Sequence, residues 1–248
     1  MLARARVRWA VLVVVYILAQ AIVSRVPVVG PLGWMALWPV FRVGLLAAAW
    51  TQERGGLPEI RHLFRGFQAN IWSLIPIGIV LLIGMTLAVL ATGLIDGGEL
   101  LDGIAGAGKS DEVFAPSSRG EAAMLFGIIC ALPTLLAVWF APALIVFQDC
   151  GAAQALATSF RGALANWRAL IVYVLLLFFY GALLPGFALA LITLVAPDET
   201  ARYVIALVTI VPYWLLFFAT QTISEYVAYR DVFHPDEVAA PPESGSSP

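Results

Sequence analysis

Charge is scarce in this 248-residue chain: Asp, Glu, Lys and Arg together make up 12% of it, and histidine and cysteine occur twice each. A soluble domain carries about 25% charged residues, so this composition excludes an ordinary water-facing surface. Two histidines, His62 and His234, stand far apart with no cluster of ligand-type residues near either, which argues against a metal centre. The two cysteines, Cys130 and Cys150, are separated by apolar, helix-compatible sequence that would hold them about 30 Å apart. That is too far for a disulfide, and both read as small packing residues. Lysine is represented by Lys109 alone, and the net charge is −2. No basic cluster beyond Arg4, Arg6 and Arg8 suggests a nucleic-acid partner. Neither a Ser, His and Asp set nor paired carboxylates converge within the apolar runs, so no catalytic residue and no cofactor is expected.

Apolar sequence is what the chain has in quantity: 61% hydrophobic residues and a mean hydropathy of +0.91. About 20 mostly apolar residues cross a bilayer as a helix, the form in which backbone groups satisfy one another where water is absent. Six runs qualify, at residues 9–25, 31–50, 71–95, 122–147, 169–195 and 203–229. The expected fold class is all-α, a bundle of about six transmembrane helices. Interior prolines at Pro39, Pro76, Pro133, Pro142, Pro185 and Pro212 predict kinks that neighbouring helices tolerate. The first run is the shortest, and Arg25 at its end can snorkel to the interface. Ala19-Gln20-Ala21 also fits a signal-peptidase pattern, but the spans that follow make an uncleaved first helix the simpler expectation.

Two breaks between runs resemble each other. Residues 52–75 and 148–171 share nine of 24 aligned positions: Gln52/Gln148, Gly55/Gly151, Phe64/Phe160, Arg65/Arg161, Gly66/Gly162, Ala69/Ala165, Asn70/Asn166, Leu74/Leu170 and Ile75/Ile171. Self-similarity of this kind is architectural information. It predicts a parallel repeat, roughly 31–95 and 122–195, inside one polytopic domain of residues 1–233. Residues 234–248 read as a disordered cytoplasmic tail, being Pro/Ser-rich and poor in large apolar side chains.

One side of the predicted bundle collects Arg4, Arg6, Arg8, Arg54, Arg61, Arg65, Arg161, Arg168 and Arg230, against Arg25, Lys109, Arg119 and Arg202 on the other. The richer side is expected to be cytoplasmic, with both termini and both joints there. Each joint predicts an amphipathic interfacial helix. In the first, Ile60, Leu63, Phe64, Phe67 and Ile71 face one way and Glu59, Arg61, His62, Arg65 and Gln68 the other. In the second, Leu156, Phe160, Leu164 and Trp167 form the apolar stripe. The motif residues Phe64, Arg65, Gly66 and Asn70, with Phe160, Arg161, Gly162 and Asn166, are the interfacial candidates, and the two glycines suggest close approach to a neighbouring span.

Arg42 lies inside the second run, where a charge is costly unless paired or facing a cavity. Glu225, at similar depth in the sixth run, is its candidate partner. Gly103 to Ser110 matches the letters of a phosphate-binding loop, but that motif needs a strand and a helix around it, and a short connection between spans supplies neither. No nucleotide is expected.

Trp9, Tyr16, Pro27-Val-Val-Gly30-Pro31, Pro39-Val-Phe-Arg-Val-Gly44, Leu63-Phe-Arg-Gly-Phe67, Trp139-Phe-Ala-Pro-Ala143, Ser159-Phe160-Arg161, Asn166-Trp167 and Tyr229-Arg-Asp-Val-Phe233 together resemble an uncharacterised bacterial family of six-span polytopic inner-membrane proteins. The likeness covers nearly the whole chain except residues 96–121 and the tail, and departs at Arg42, where a small residue is the expectation. It implies a multi-pass protein of the bacterial cytoplasmic membrane and brings no catalytic residues. The expected function is a structural, assembly or regulatory membrane component that meets lipids, other membrane proteins or a second copy. The alternative is a transporter of small solutes or ions.

Overall fold

In a computed structural model, residues 5–26, 29–68, 71–101 and 118–234 are described, and no strand occurs among them. The helices are α1 (Arg6–Val23), α2 (Val29–Glu53), α3 (Arg65–Gln68), α4 (Ile71–Asp96), α5 (Ser118–Trp139), α6 (Ala141–Gln148), α7 (Ala152–Ala165), α8 (Trp167–Phe178), α9 (Leu184–Val195) and α10 (Glu199–Phe233). A 3-10 helix, Ile60–Phe64, precedes α3, and a π-helical turn, Phe179–Leu183, joins α8 to α9. Six segments are long and apolar enough to cross a membrane: Arg6–Val23, Gly30–Glu53, Ile71–Asp96, Ser118–Gln148, Trp167–Val195 and Glu199–Phe233. They coincide with the six runs read from the sequence.

The second span is the axis of the bundle: 67% of its apolar window is buried, against 6% in each of the last two spans. It owes that position to small residues. A Cβ on Gly78 of α4 would collide with the backbone of Ala36, and a side chain on Gly44 would strike the backbone of Leu63. Around α2, Trp34 stacks on Phe41 at 4.9 Å between centroids, and Tyr16 of α1 meets Trp34 at 5.3 Å and Phe218 of α10 at 5.3 Å. These aromatic contacts fasten the first and last spans to the axis.

Helices run through Pro39, Pro76, Pro133 and Pro212. The hydrogen-bond ladder is interrupted instead just before Pro142 and Pro185. At the first break Ser159 of α7 substitutes for a missing turn: its hydroxyl accepts the Phe140 N–H at 2.9 Å and donates to the Leu136 carbonyl at 2.9 Å. A side chain thus closes the gap in the ladder between residues 136 and 140. At the second, the Leu184 N–H reaches back to the Phe179 carbonyl, and Pro185 has no N–H to offer Tyr180. The Tyr180 carbonyl is satisfied by the Tyr213 hydroxyl of α10.

The two joints differ in conformation despite their shared letters. The first is the 3-10 helix and one turn of α3, with His62, Leu63 and Gly66 buried and Ile60, Phe64 and Phe67 substantially exposed. His62 therefore does not sit on a solvated face. The second is the continuous α7, which buries Ala155, Ser159 and Ala163 and leaves Leu164 exposed, as is Trp167 at the start of α8. In the second, small or polar residues make the packed face, whereas the first also buries the large Leu63 in the core. Both joints flank the last stretches of α2 and α10: from Thr51, near the end of α2, the first runs back along that helix until Gly66 abuts Val40, and in the second Gly162 abuts the Phe233 ring at the end of α10.

Candidate functional site

Arg42 and Glu225 form an ion pair between α2 and α10, both buried. Gln221, one turn earlier on α10, accepts from Arg42 Nη1 at 3.4 Å, and the guanidinium lies 5.8 Å from the Trp38 ring centroid. Arg42 Nε is buried without a hydrogen-bond partner among the described residues. An isolated charge at this depth is costly, and pairing is the ordinary means of keeping it there.

Three turns further along α2, the helix ends on a second polar knot. Gln52 accepts from the Trp9 indole at 2.7 Å, tying α1 to α2. Glu53 accepts from Arg230 and from the Tyr226 hydroxyl, tying α2 to α10. These bonds bring the start of α1 and the ends of α2 and α10 to one end of the bundle.

That knot forms one wall of a cavity of about 620 Å³. Val43 and Ala47 line its inner part, with Trp50, Phe147, Tyr226 and Tyr229 as aromatic lining, and Glu53, Arg54, Arg65, Arg230 and His234 contributing charge or polarity. Phe147 stacks on Tyr229 at 5.4 Å, and the Arg54 guanidinium lies 4.2 Å from the Trp50 centroid. The break at Phe140 starts α6, the short helix that carries Val146 and Phe147 to this wall, so Ser159 shapes the cavity from a distance. Tyr229 also meets His234 Nε2 at 3.1 Å through its hydroxyl.

A second, mostly apolar groove of about 550 Å³ runs between α8 and α10, lined by Tyr173, Tyr180, Tyr213, Phe217, Gln221 and Ser224 among others. Gln221 belongs both to this groove and to the shell of Arg42. Arg42 and Glu225 themselves line neither space; Gln221 links the pair to the groove, and Val43, next to Arg42 on α2, lines the cavity.

Of the joint residues, Arg65 lines the cavity; Phe64 is exposed and Gly66 buried. Asn70 and the Gly103 to Ser110 segment lie outside the described residues, as does the tail from 235 onward. Phe160 is half-buried and Arg161 exposed. Asn166 donates from Nδ2 to the Gly162 carbonyl at 2.9 Å, ending α7 and freeing the chain to start α8. The sequence reading did not single out Trp50, Phe147 or Tyr226, which come from three helices far apart in the chain.

His62, beneath the first joint, accepts the Glu59 N–H at Nδ1 at 2.9 Å and lies 3.4 Å from Thr51 Oγ1 through Nε2. Because the Thr51 hydroxyl donates to the Ala47 carbonyl, this network assigns the proton to Nε2. Burial, followed by the neighbouring Arg65 guanidinium, holds the imidazole below its usual pKa. Cys150 donates to the Leu144 carbonyl, and burial pushes its thiol up. No group of three or more potential metal ligands occurs among the described residues.

No family model and no solved structure matches this chain. A probable inner membrane protein of Burkholderia thailandensis is 31% identical to it over 236 residues, spanning 91% of this chain and 84% of the relative. With six apolar spans in an all-α bundle and that likeness across nearly its full length, the chain belongs to the family of this probable inner membrane protein.

Proposed function

We propose that the protein is a non-catalytic structural or regulatory component of the inner membrane, acting through the end of the bundle where the joints lie and not through a path across it. The positive-inside rule assigns that end to the cytoplasm, since eight of the described basic residues, Arg6, Arg8, Arg54, Arg61, Arg65, Arg161, Arg168 and Arg230, fall there. The observation that carries the reading is the Arg42–Glu225 pair: buried between α2 and α10, the ion pair and Gln221 are engaged with one another. Ala219 and Thr222, fully buried on the same helix, pack the level beside it. Thiol accessibility tests this. Ala219→Cys and Thr222→Cys variants should resist a membrane-impermeant thiol reagent applied to either face. Labelling from one face or both would support a water-filled path.

A second reading, transport of a small solute or ion, is favoured by one arrangement. An intramembrane ion pair whose partner Gln221 lines a lateral groove, on a helix that also lines a polar cavity, has the layout of a closed gate. The same labelling experiment separates the two readings.

A further inference from the structure

The cavity at the joint end carries more positive charge than its own carboxylate engages. Glu53 already accepts from both Arg230 and Tyr226. Arg54 and Arg65 line the same space, and no carboxylate among the described residues lies within ion-pair distance of either. Arg230 lines it as well, and its Nε is buried without a hydrogen-bond partner among the described residues.

Beside this charge the lining is apolar: Val43, Ala47, Val146, Phe147 and the Trp50 ring. A soluble anion would engage the arginines and leave that surface uncovered. A lipid tail alone would cover the surface and leave the arginines unmatched. The volume, about 620 Å³, falls in the usual range for small-ligand sites and suits a headgroup with the first carbons of its chains. Guanidinium groups pair with phosphate through two parallel hydrogen bonds, and basic pockets between spans at the cytoplasmic side are suited to anionic headgroups.

We propose that this cavity binds the phosphate-bearing headgroup of an anionic phospholipid, with Arg54 and Arg65 at the phosphate and the Trp50 and Phe147 wall against the upper acyl chain. The proposal rests on the reading above only in placing this end at the cytoplasmic leaflet. Free phosphate shares the headgroup chemistry, and the test separates the two sources.

The full chain, purified in detergent, is mixed with phosphatidylglycerol or with phosphatidylcholine of identical acyl chains, and retained lipid is read by native mass spectrometry. Phosphatidylglycerol should be retained preferentially. Because each arginine near a lipid surface contributes about 1 kcal/mol, Arg54→Gln and Arg65→Gln should each lower retention about fivefold. Both side chains are exposed, so the fold should survive. Arg202→Gln, the same charge change at the start of α10, should leave retention unchanged. Equal retention of the two lipids, wild-type retention in the double variant, or an equal loss in Arg202→Gln would overturn the proposal. Displacement of the lipid by millimolar inorganic phosphate would reassign the cavity to a soluble phosphate compound. None of these results bears on thiol reactivity at Ala219 and Thr222, so the two readings fail separately.

Discussion

Arg42 and Glu225 show how a charge can be kept inside an apolar bundle, and what its removal should do. Removing one partner leaves the other buried without compensation, at about 3–5 kcal/mol. Arg42→Met and Glu225→Leu should each destabilise the fold strongly, and the double variant by much less than their sum, as measured by detergent-titrated unfolding in a double-mutant cycle. Additive losses would mean the two side chains do not depend on each other. Ser159 makes a different case, because its hydroxyl serves as donor and acceptor inside another helix. Ser159→Ala leaves the Phe140 N–H and the Leu136 carbonyl unmatched, which should cost about 1–3 kcal/mol in the same unfolding assay. His62 links stability to pH. With its folded pKa held below the ordinary 6.5, the unfolded chain takes up a proton first as pH falls through that value, so stability is lost on acidification. Unfolding midpoints measured from about pH 7.5 to about pH 5.5 should fall less steeply in His62→Gln than in the wild type.

The joints show which elements the sequence determines and which the neighbours determine. Gly66 and Gly162 occupy equivalent letters, yet a Cβ on Gly66 would meet the Val40 backbone, whereas one on Gly162 would meet the tip of the Phe233 ring at 2.6 Å. Backbone cannot yield as a ring can, so Gly66→Ala should destabilise by about 1–3 kcal/mol and Gly162→Ala by clearly less, in parallel unfolding curves. The six spans are legible in the sequence because lipid imposes one requirement on all of them, a long apolar run. The Arg42–Glu225 partnership is legible too, as two charges at matching depth in spans pointing the same way. The joint conformations are not. Residues 59–71 have helical apolar spacing, but Leu63 and Gly66 are drawn against α2, and the segment tightens into a 3-10 helix and a single α turn. Nor does any local pattern announce Ser159, whose partners lie 19 and 23 residues away, or the cavity, whose lining comes from α2, α3, α6 and α10.

Assembled, the bundle has a tightly packed axis around α2 and a last hairpin, α8 to α10, that stands out from it, with Leu194, Val195 and Tyr203 at its far end exposed. In the bilayer that hairpin offers its apolar surface to acyl chains, while the opposite end gathers the arginines, the aromatic wall and both joints. The arrangement has functional meaning only if both joints meet the cytoplasm, since that places the cavity at the inner leaflet. Single cysteines introduced as Arg61→Cys and Arg161→Cys, each at an exposed joint position, report on it directly in a Cys130→Ala, Cys150→Ala background. Arg202→Cys marks the other face. A membrane-impermeant maleimide should label residues 61 and 161 in inverted vesicles alone and residue 202 in spheroplasts alone; labelling of the two joints from opposite faces would contradict the layout and the site built on it.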